Sequence, residues 1–304
     1  MLIFVIVPTY RRPLDLARCL AALAAQKRLP DRTVLVVRSC DKESLGTIAA
    51  WRNRLPIEIA EVAAPGVVQA MNAGLARCRS DGKCDVVALV DDDAAPRSDW
   101  LERIEAMFNS DLRVGAIGGR DWVHQNGRVE TGCRSDVGLV RWYGRIVGNH
   151  HLGIGPVRSV DILKGVNCAF RMAAIGPVGF DTRLRGKGAQ VHWELCVCFA
   201  IKRAGWQILY DAAIGVDHFP AQRFDRDKRD HFDPVATADR TYNLRLALES
   251  VIPGWKRMAA FMWLYLIGTN DEPGFVIFFR MLMRREPYAI RKFCSAHGIG
   301  GRRR

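Results

Sequence analysis

Asp85-Val86-Val87-Ala88-Leu89-Val90-Asp91-Asp92-Asp93 decides the reading of this chain: an unbroken apolar run that stops in three consecutive carboxylates. A run without polar alternation suits a strand covered on both faces, as in a parallel sheet flanked by helices. Three adjacent carboxylates repel one another unless something positive sits among them. A hard divalent cation, Mg²⁺ or Mn²⁺, takes oxygen ligands and commonly bridges carboxylates to substrate phosphates. The plain alternative is an acidic turn. Its position argues against that, because open α/β sheets bind ligands at the carboxyl ends of their strands.

Working outward, further apolar runs at 3–7, 33–37, 57–62 and 114–118 read as strands, and 14–25, 45–51, 69–79 and 100–108 as helices between them. That rhythm predicts an α/β fold with a doubly wound, mostly parallel sheet flanked by helices. Residues 118–188 are Gly-rich and irregular, with a strand expected at 159–163. A helix at 193–204 and a strand at 207–210 follow, and beyond residue 220 the pattern becomes helical.

The 304 residues are 49% apolar and 25% charged, which excludes disordered, collagen-like and disulfide-knot proteins. The nine cysteines show no framework or zinc-ribbon spacing and read as inert thiols of a reducing cytosol. The N-terminal apolar run is only seven residues long before Pro8, with no basic lead, and reads as a strand rather than a signal peptide. No stretch approaches the ~20 apolar residues of a membrane span. The net charge is +13, and residues 251–304 hold ten basic and three acidic residues, +7 of that total. Such a tail is expected to meet something negative.

Several nucleotide signatures are missing. No Gly-x-Gly-x-x-Gly follows the first strand, and no P-loop or Gly-x-Ser-x-Gly elbow occurs. What does occur resembles the family 2 glycosyltransferases. Val7-Pro8-Thr9-Tyr10-Arg11-Arg12-Pro13 is similar to their opening signature. The stretch from Gly66 through Ala70, Asn72, Gly74 and Leu75 is similar to their Gly-x-x-x-Ala-x-Asn-x-Gly-Leu helix. Asp91-Asp92-Asp93, with Pro96, Trp100 and Leu101 after it, resembles their Asp-x-Asp strand end. Gly165, Asn167, Phe170 and Arg171, then Val178-Gly179-Phe180-Asp181, resemble acceptor-half segments, and Glu194 precedes a turn at Gly205. The resemblance covers roughly residues 1–220, in order.

It implies the GT-A fold and inverting transfer of a sugar from a nucleoside diphosphate sugar to an acceptor hydroxyl. By resemblance, Asp93 holds Mg²⁺ or Mn²⁺ with Asp91 and His218. Pro8, Thr9, Tyr10, Arg12, Asp41, Asn72, Asp91 and Asp92 contact the donor, and Glu194 is the general base that takes the acceptor's proton. Two departures stand out. The family's Glu-Asp pair is Trp193-Glu194 here, so an indole replaces the first acid, and His192 next to it is an alternative base. After the second strand, where relatives carry an Asp-Asp or Asp-Asn step, this chain has Arg38-Ser39-Cys40-Asp41.

The expected organisation is a GT-A domain at 1–220, with a nucleotide-sugar half at about 1–117 and an acceptor half at about 118–220. A basic, partly amphipathic helical extension spans 221–304. Two readings of that extension stay open: helices packed on the catalytic domain, or an anchor on an anionic membrane surface. No nucleic-acid-binding module is recognisable, so a nucleic-acid partner is not expected. The expected setting is the cytoplasm, at the inner face of the plasma membrane if the extension is an anchor, and the resemblance implies cell-surface glycan or polysaccharide synthesis with a glycan or lipid-linked acceptor. A catalytically dead scaffold of the same fold and a sugar-nucleotide nucleotidyltransferase are the alternatives. The second would want a Gly-rich basic loop that Pro8-Thr9-Tyr10 does not supply.

Overall fold

A computed structural model of the chain describes residues 1–177, 179–226, 228, 231–252 and 254–299. The first half alternates as expected: β1 (Ile3–Thr9), α1 (Pro13–Ala24), β2 (Arg32–Arg38), α2 (Lys42–Trp51), β3 (Ile57–Val62), α3 (Val67–Arg79), β4 (Val86–Val90), a short β5 (Ala94–Pro96) and α4 (Trp100–Ser110). A long β6 (Val114–Gln125) is followed by the short strands β7 (Arg128–Val129), β8 (Leu139–Val140), β9 (Ile146–Val147) and β10 (Arg158–Ser159). Then come β11 (Asn167–Arg171), α5 (Met172–Ile175), α6 (Trp193–Arg203) and a long β12 (Gln207–His218). Helices α7 (Pro234–Val251), α8 (Gly254–Leu266), α9 (Phe275–Met283) and α10 (Ala289–His297) close the described chain.

The main sheet runs β10-β12-β6-β11-β4-β1-β2-β3. Its pairs β2–β3, β1–β2, β1–β4 and β6–β12 are parallel, while β11 runs antiparallel to both β4 and β6. The unbroken apolar strands have the expected cause. Ile3, Val5 and Val7 of β1 face a core shared with α1 and α4, and Phe4 and Ile6 face the opposite core with α3. Helix α3 lies very close to the sheet at Gly74, where an added Cβ would meet Ile6 Cγ2 at 2.8 Å. Asp233 caps α7 by accepting from the Val235 and Ala236 amides.

The strands expected at 114–118 and 207–210 are each twelve residues long. Polar residues obscure their second halves, yet several of those residues find partners inside the fold. The buried Arg120 donates to the carbonyl of His151 and stacks at 3.7 Å over Trp122, and the fully buried Asp121 pairs with Lys164. The strand expected at 159–163 is only Arg158–Ser159, and the antiparallel β11 departs from the expected pattern, while α10 falls within the expected helical extension. Val178 and the terminal arginines 302–304 lie outside the described residues.

Candidate active site

Strand pairing assembles the site. β4 ends at Val90, so Asp91-Asp92-Asp93 emerges at the carboxyl edge of the sheet beside the end of β1. β5 pairs antiparallel with β12, setting Ala94 opposite His218, and the parallel β6–β12 pair sets Asp121 opposite Val216. Residues 93, 121 and 218 thus approach one another from three separate stretches of chain.

The buried Asp93 is the most heavily engaged of the triplet. Its Oδ2 accepts from the Ala221 amide at 2.9 Å and lies 3.5 Å from Arg12 Nη1, and its Oδ1 lies 3.4 Å from His218 Nε2. Burial alone would raise its pKa; His218, the Ala221 amide and Arg12 overcome that and hold it at about 2. Asp92 accepts from Arg12 Nη1 at 2.7 Å. Burial pushes the Asp91 carboxyl above its ordinary value, and the charge of Asp93 adds to that. Arg12 also donates from Nε to the Gln222 carbonyl at 3.0 Å, tying the segment after β12 to the end of β1.

The donor set can be tested against a divalent cation on these contacts. His218 is buried, and neither ring nitrogen reaches a hydrogen-bond partner, although Nε2 faces Asp93 and Nδ1 lies 3.6 Å from Asp121 Oδ2. Burial alone would lower the His218 pKa; Asp121 and Asp93 overcome that and raise it to about 8. A cation would therefore displace its proton, and the freed imidazole beside the ionised Asp93 is a fitting pair of ligands for an open site. Among the described residues no three His, Cys, Asp or Glu side chains come together as a metal cluster, so Asp91 does not join Asp93 and His218. The remaining positions would fall to phosphate and water, as is usual for Mg²⁺.

Two cavities meet at this edge. One, of about 310 Å³, is lined by Pro8, Thr9, Tyr10 and Arg12 from β1 and the loop after it, by Arg38 from β2, and by Asp91, Asp92 and Asp93. Gly66, Val67 and Ala70 of α3 and its approach, Trp193 and Glu194, and the 223–225 segment complete its wall. Arg38 stacks over Tyr10 at 3.7 Å and pairs with Asp225 at 2.6 Å, closing one flank. The second cavity, of about 970 Å³, opens among His124, His151, Lys164, Gly165 and His218. Asp91, Glu194 and Arg223 border both.

Glu194 stands in the first turn of α6, where its carboxylate accepts from the Gly165 amide at 3.3 Å. Burial raises its pKa above that of an ordinary glutamate; the Gly165 amide and His192 counter this only in part. Trp193 packs edge-on against Phe180 at 5.3 Å and is buried, so it is both core and pocket wall. His192 turns away: its Nε2 lies 3.5 Å from the buried Glu272. Two expected donor contacts are not in the pocket wall. Asp41 caps α2 and accepts from the Arg11 and Ser44 amides, and Asn72 holds both the amide and the carbonyl of Phe180. The sequence reading did not single out Arg38 for a role, nor Asp121, Lys164, Arg223 or Asp225; only the charge density after residue 220 hinted at the last two.

Comparison with known proteins bears on the family and the fold. The family model described as "Glycosyltransferase like family 2" matches residues 2–232. A glucosyl-dolichyl phosphate glucuronosyltransferase of Haloferax volcanii is 29% identical over 160 residues, 48% of this chain and 48% of that protein. A chondroitin synthase of Escherichia coli is 26% identical over 191 residues, 58% of this chain and 27% of that protein. The chain thus spans about half the length of the first relative and about a quarter of the second. Among solved structures, Staphylococcus aureus TarS 1–349 in complex with UDP-GlcNAc superposes with a TM-score of 0.63 at 13% identity, covering 99% of this chain and 82% of that one. The mannosyltransferase PcManGT of Pyrobaculum calidifontis, in complex with GDP-Man and Mn²⁺, gives 0.56 at 15%, covering 98% and 86%. The fold they share is the GT-A arrangement of a mostly parallel sheet between helices.

Proposed function

The chain belongs to the family 2 glycosyltransferases, and from that premise we propose that it moves a sugar from a nucleoside diphosphate sugar to an acceptor hydroxyl, with inversion at the anomeric carbon. The observation that supports this reading is the shared wall: Asp91 and Glu194 border both cavities, the smaller lined by Tyr10, Arg12 and Arg38 and the larger by His124, Lys164 and His218. A donor in the first and an acceptor in the second would meet beside Glu194. The Glu194 carboxylate takes the acceptor proton as the acceptor oxygen bonds to the anomeric carbon and the bond to the diphosphate breaks. Its burial-raised pKa suits a base that must hold that proton.

Tyr10 and Arg38 flank the nucleoside, and Arg12 directs positive charge at the diphosphate while holding Asp92 and Asp93 in place. Asp93 and His218 would hold the Mg²⁺ or Mn²⁺, whose chemistry there is to offset charge on the departing diphosphate. Asp41 and Asn72 act at one remove, by fixing the loops after β1 and before α6. In this reading residues 1–220 form the catalytic domain of a cytosol-facing enzyme and 221–304 its helical extension. A glycan or lipid-linked acceptor is supported by the relative named for a glucosyl-dolichyl phosphate acceptor.

A turnover screen tests it. UDP-, GDP- and dTDP-sugars are offered with Mn²⁺ or Mg²⁺, release of nucleoside diphosphate is followed, and the product anomer is read by proton NMR. One donor class should turn over and invert. Retention of configuration would remove the direct-displacement mechanism, and no turnover of any donor by folded protein would remove the transferase reading.

A further inference from the structure

The C-terminal helices carry an apolar surface that the transferase reading does not use. Of the 23 exposed large hydrophobic side chains among the described residues, 13 lie between 255 and 299. On α8, Trp255, Met258, Met262 and Tyr265 recur every three or four residues and so share one face, while Ala260 and Leu264 are buried. On α9, Val276, Phe279 and Met283 repeat the pattern opposite the buried Met281. Tyr265 meets Phe275 edge-on at 5.0 Å, joining the two helices. The exposed Trp142, between β8 and β9, lies 6.1 Å from Trp255 and extends the surface onto the body of the protein.

We propose that this face docks on an anionic lipid bilayer, with α8 and α9 lying in the interface. Charge complementarity selects that occupant. Lys256, Arg257, Arg280, Arg284 and Arg285 are exposed, and none forms an ion pair among the described residues. The acids of the same stretch do not balance them. Glu272 is buried against His192, Asp271 pairs with Arg240 at 3.1 Å, and Glu286 is half-buried. A second copy packed on this face by two-fold symmetry would set these cations against themselves. A bilayer interface accepts tryptophan, tyrosine and phenylalanine rings beside Lys and Arg without needing a shaped partner. No helix among the described residues is long and apolar enough to cross a membrane; at 1.5 Å per residue α8 reaches only ~20 Å against a ~30 Å hydrocarbon core. The surface is also tied to the active site. Glu272, in the turn between α8 and α9, contacts His192, two residues before Glu194.

The test is co-sedimentation of the full chain with vesicles of phosphatidylcholine alone or mixed with phosphatidylglycerol, at low and high salt. It stands apart from any assay of transfer. Binding to the anionic vesicles at low salt and release at high salt is expected. Arg280→Gln and Arg284→Gln should each weaken partition about fivefold. Trp255→Glu with Phe279→Glu alters only exposed positions, so it should leave the melting temperature unchanged while weakening partition on the order of tenfold or more. The proposal is overturned if folded protein stays in the supernatant with anionic vesicles at low salt. It is equally overturned if sedimentation velocity shows a dimer that Trp255→Glu dissociates, since the face would then belong to a second copy.

Discussion

Replacing Glu194 by glutamine separates chemistry from architecture. From elsewhere in the chain the side chain accepts a hydrogen bond from the Gly165 amide at 3.3 Å, which a glutamine carbonyl can still accept. That contact is long, and its loss would cost at most about 1 kcal/mol. Burial raises the Glu194 pKa, so the folded state holds its proton more tightly than the unfolded chain. Such a group weakens the fold as pH rises from the unfolded value through the folded one. Glu194→Gln should therefore be at least as stable as the parent at neutral pH. Catalysis should move the other way. Without a proton acceptor, transfer should fall roughly 10²–10⁴-fold, equivalent to about 3–5 kcal/mol of barrier. The pH profile supplies a second signature. The parent should lose activity as pH falls through a value above the ~4.3 of an ordinary glutamate, and the residual rate of the variant should lack that limb. Initial rates across pH, a calorimetric titration of the donor nucleotide and a thermal melt decide the matter. Activity above a tenth of the parent, or donor binding lost together with activity, would refute the assignment.

Asp93→Asn removes the charge that faces both His218 and Arg12, so transfer should fall on the order of a hundredfold or more, and Mn²⁺ affinity measured by electron paramagnetic resonance should fall with it. Gly119→Ala would drive a Cβ to 1.8 Å from the Ile214 carbonyl oxygen, where β12 bulges against β6. That clash is with backbone, so denaturant unfolding should show a loss of about 3 kcal/mol or more, or no soluble protein. At the buried Glu272, burial raises the pKa, but His192, Thr269 and Arg240 together bring it below the ordinary value. Its contribution is therefore present above the unfolded glutamate pKa and lost as pH falls through the folded one. Glu272→Gln should cost roughly 3 kcal/mol at pH 7 by chemical denaturation and flatten the acid side of the stability profile.

Much of this is legible in the sequence, for physical reasons. The run at 86–90 had to be covered on both faces, and the carboxylates after it had to sit at a strand end. β11 was not legible, because Asn167–Arg171 is short and its partners lie far away in sequence, at Val86–Val90 and Ala116–Gly118. The second halves of β6 and β12 were hidden by Arg120, Asp121 and Asp211, whose burial depends on partners brought in from the irregular middle. Asp41 and Asn72 are expected at the donor, and in the structure their side chains serve the backbone of neighbouring loops. Conversely, only the fold reveals that Arg38 stacks on Tyr10 and flanks the pocket through Asp225.

The central claim is that the cavity bounded by Tyr10, Arg38 and Asp93 is a nucleoside diphosphate site. Calorimetric titration of UDP, GDP and dTDP into the full chain, with Mn²⁺ and with chelator, tests it most directly. The account predicts that one of the three binds with Mn²⁺ present, that chelator weakens it, and that Asp93→Asn weakens it similarly while Glu194→Gln does not. Folded protein that binds none of the three under either condition would contradict it.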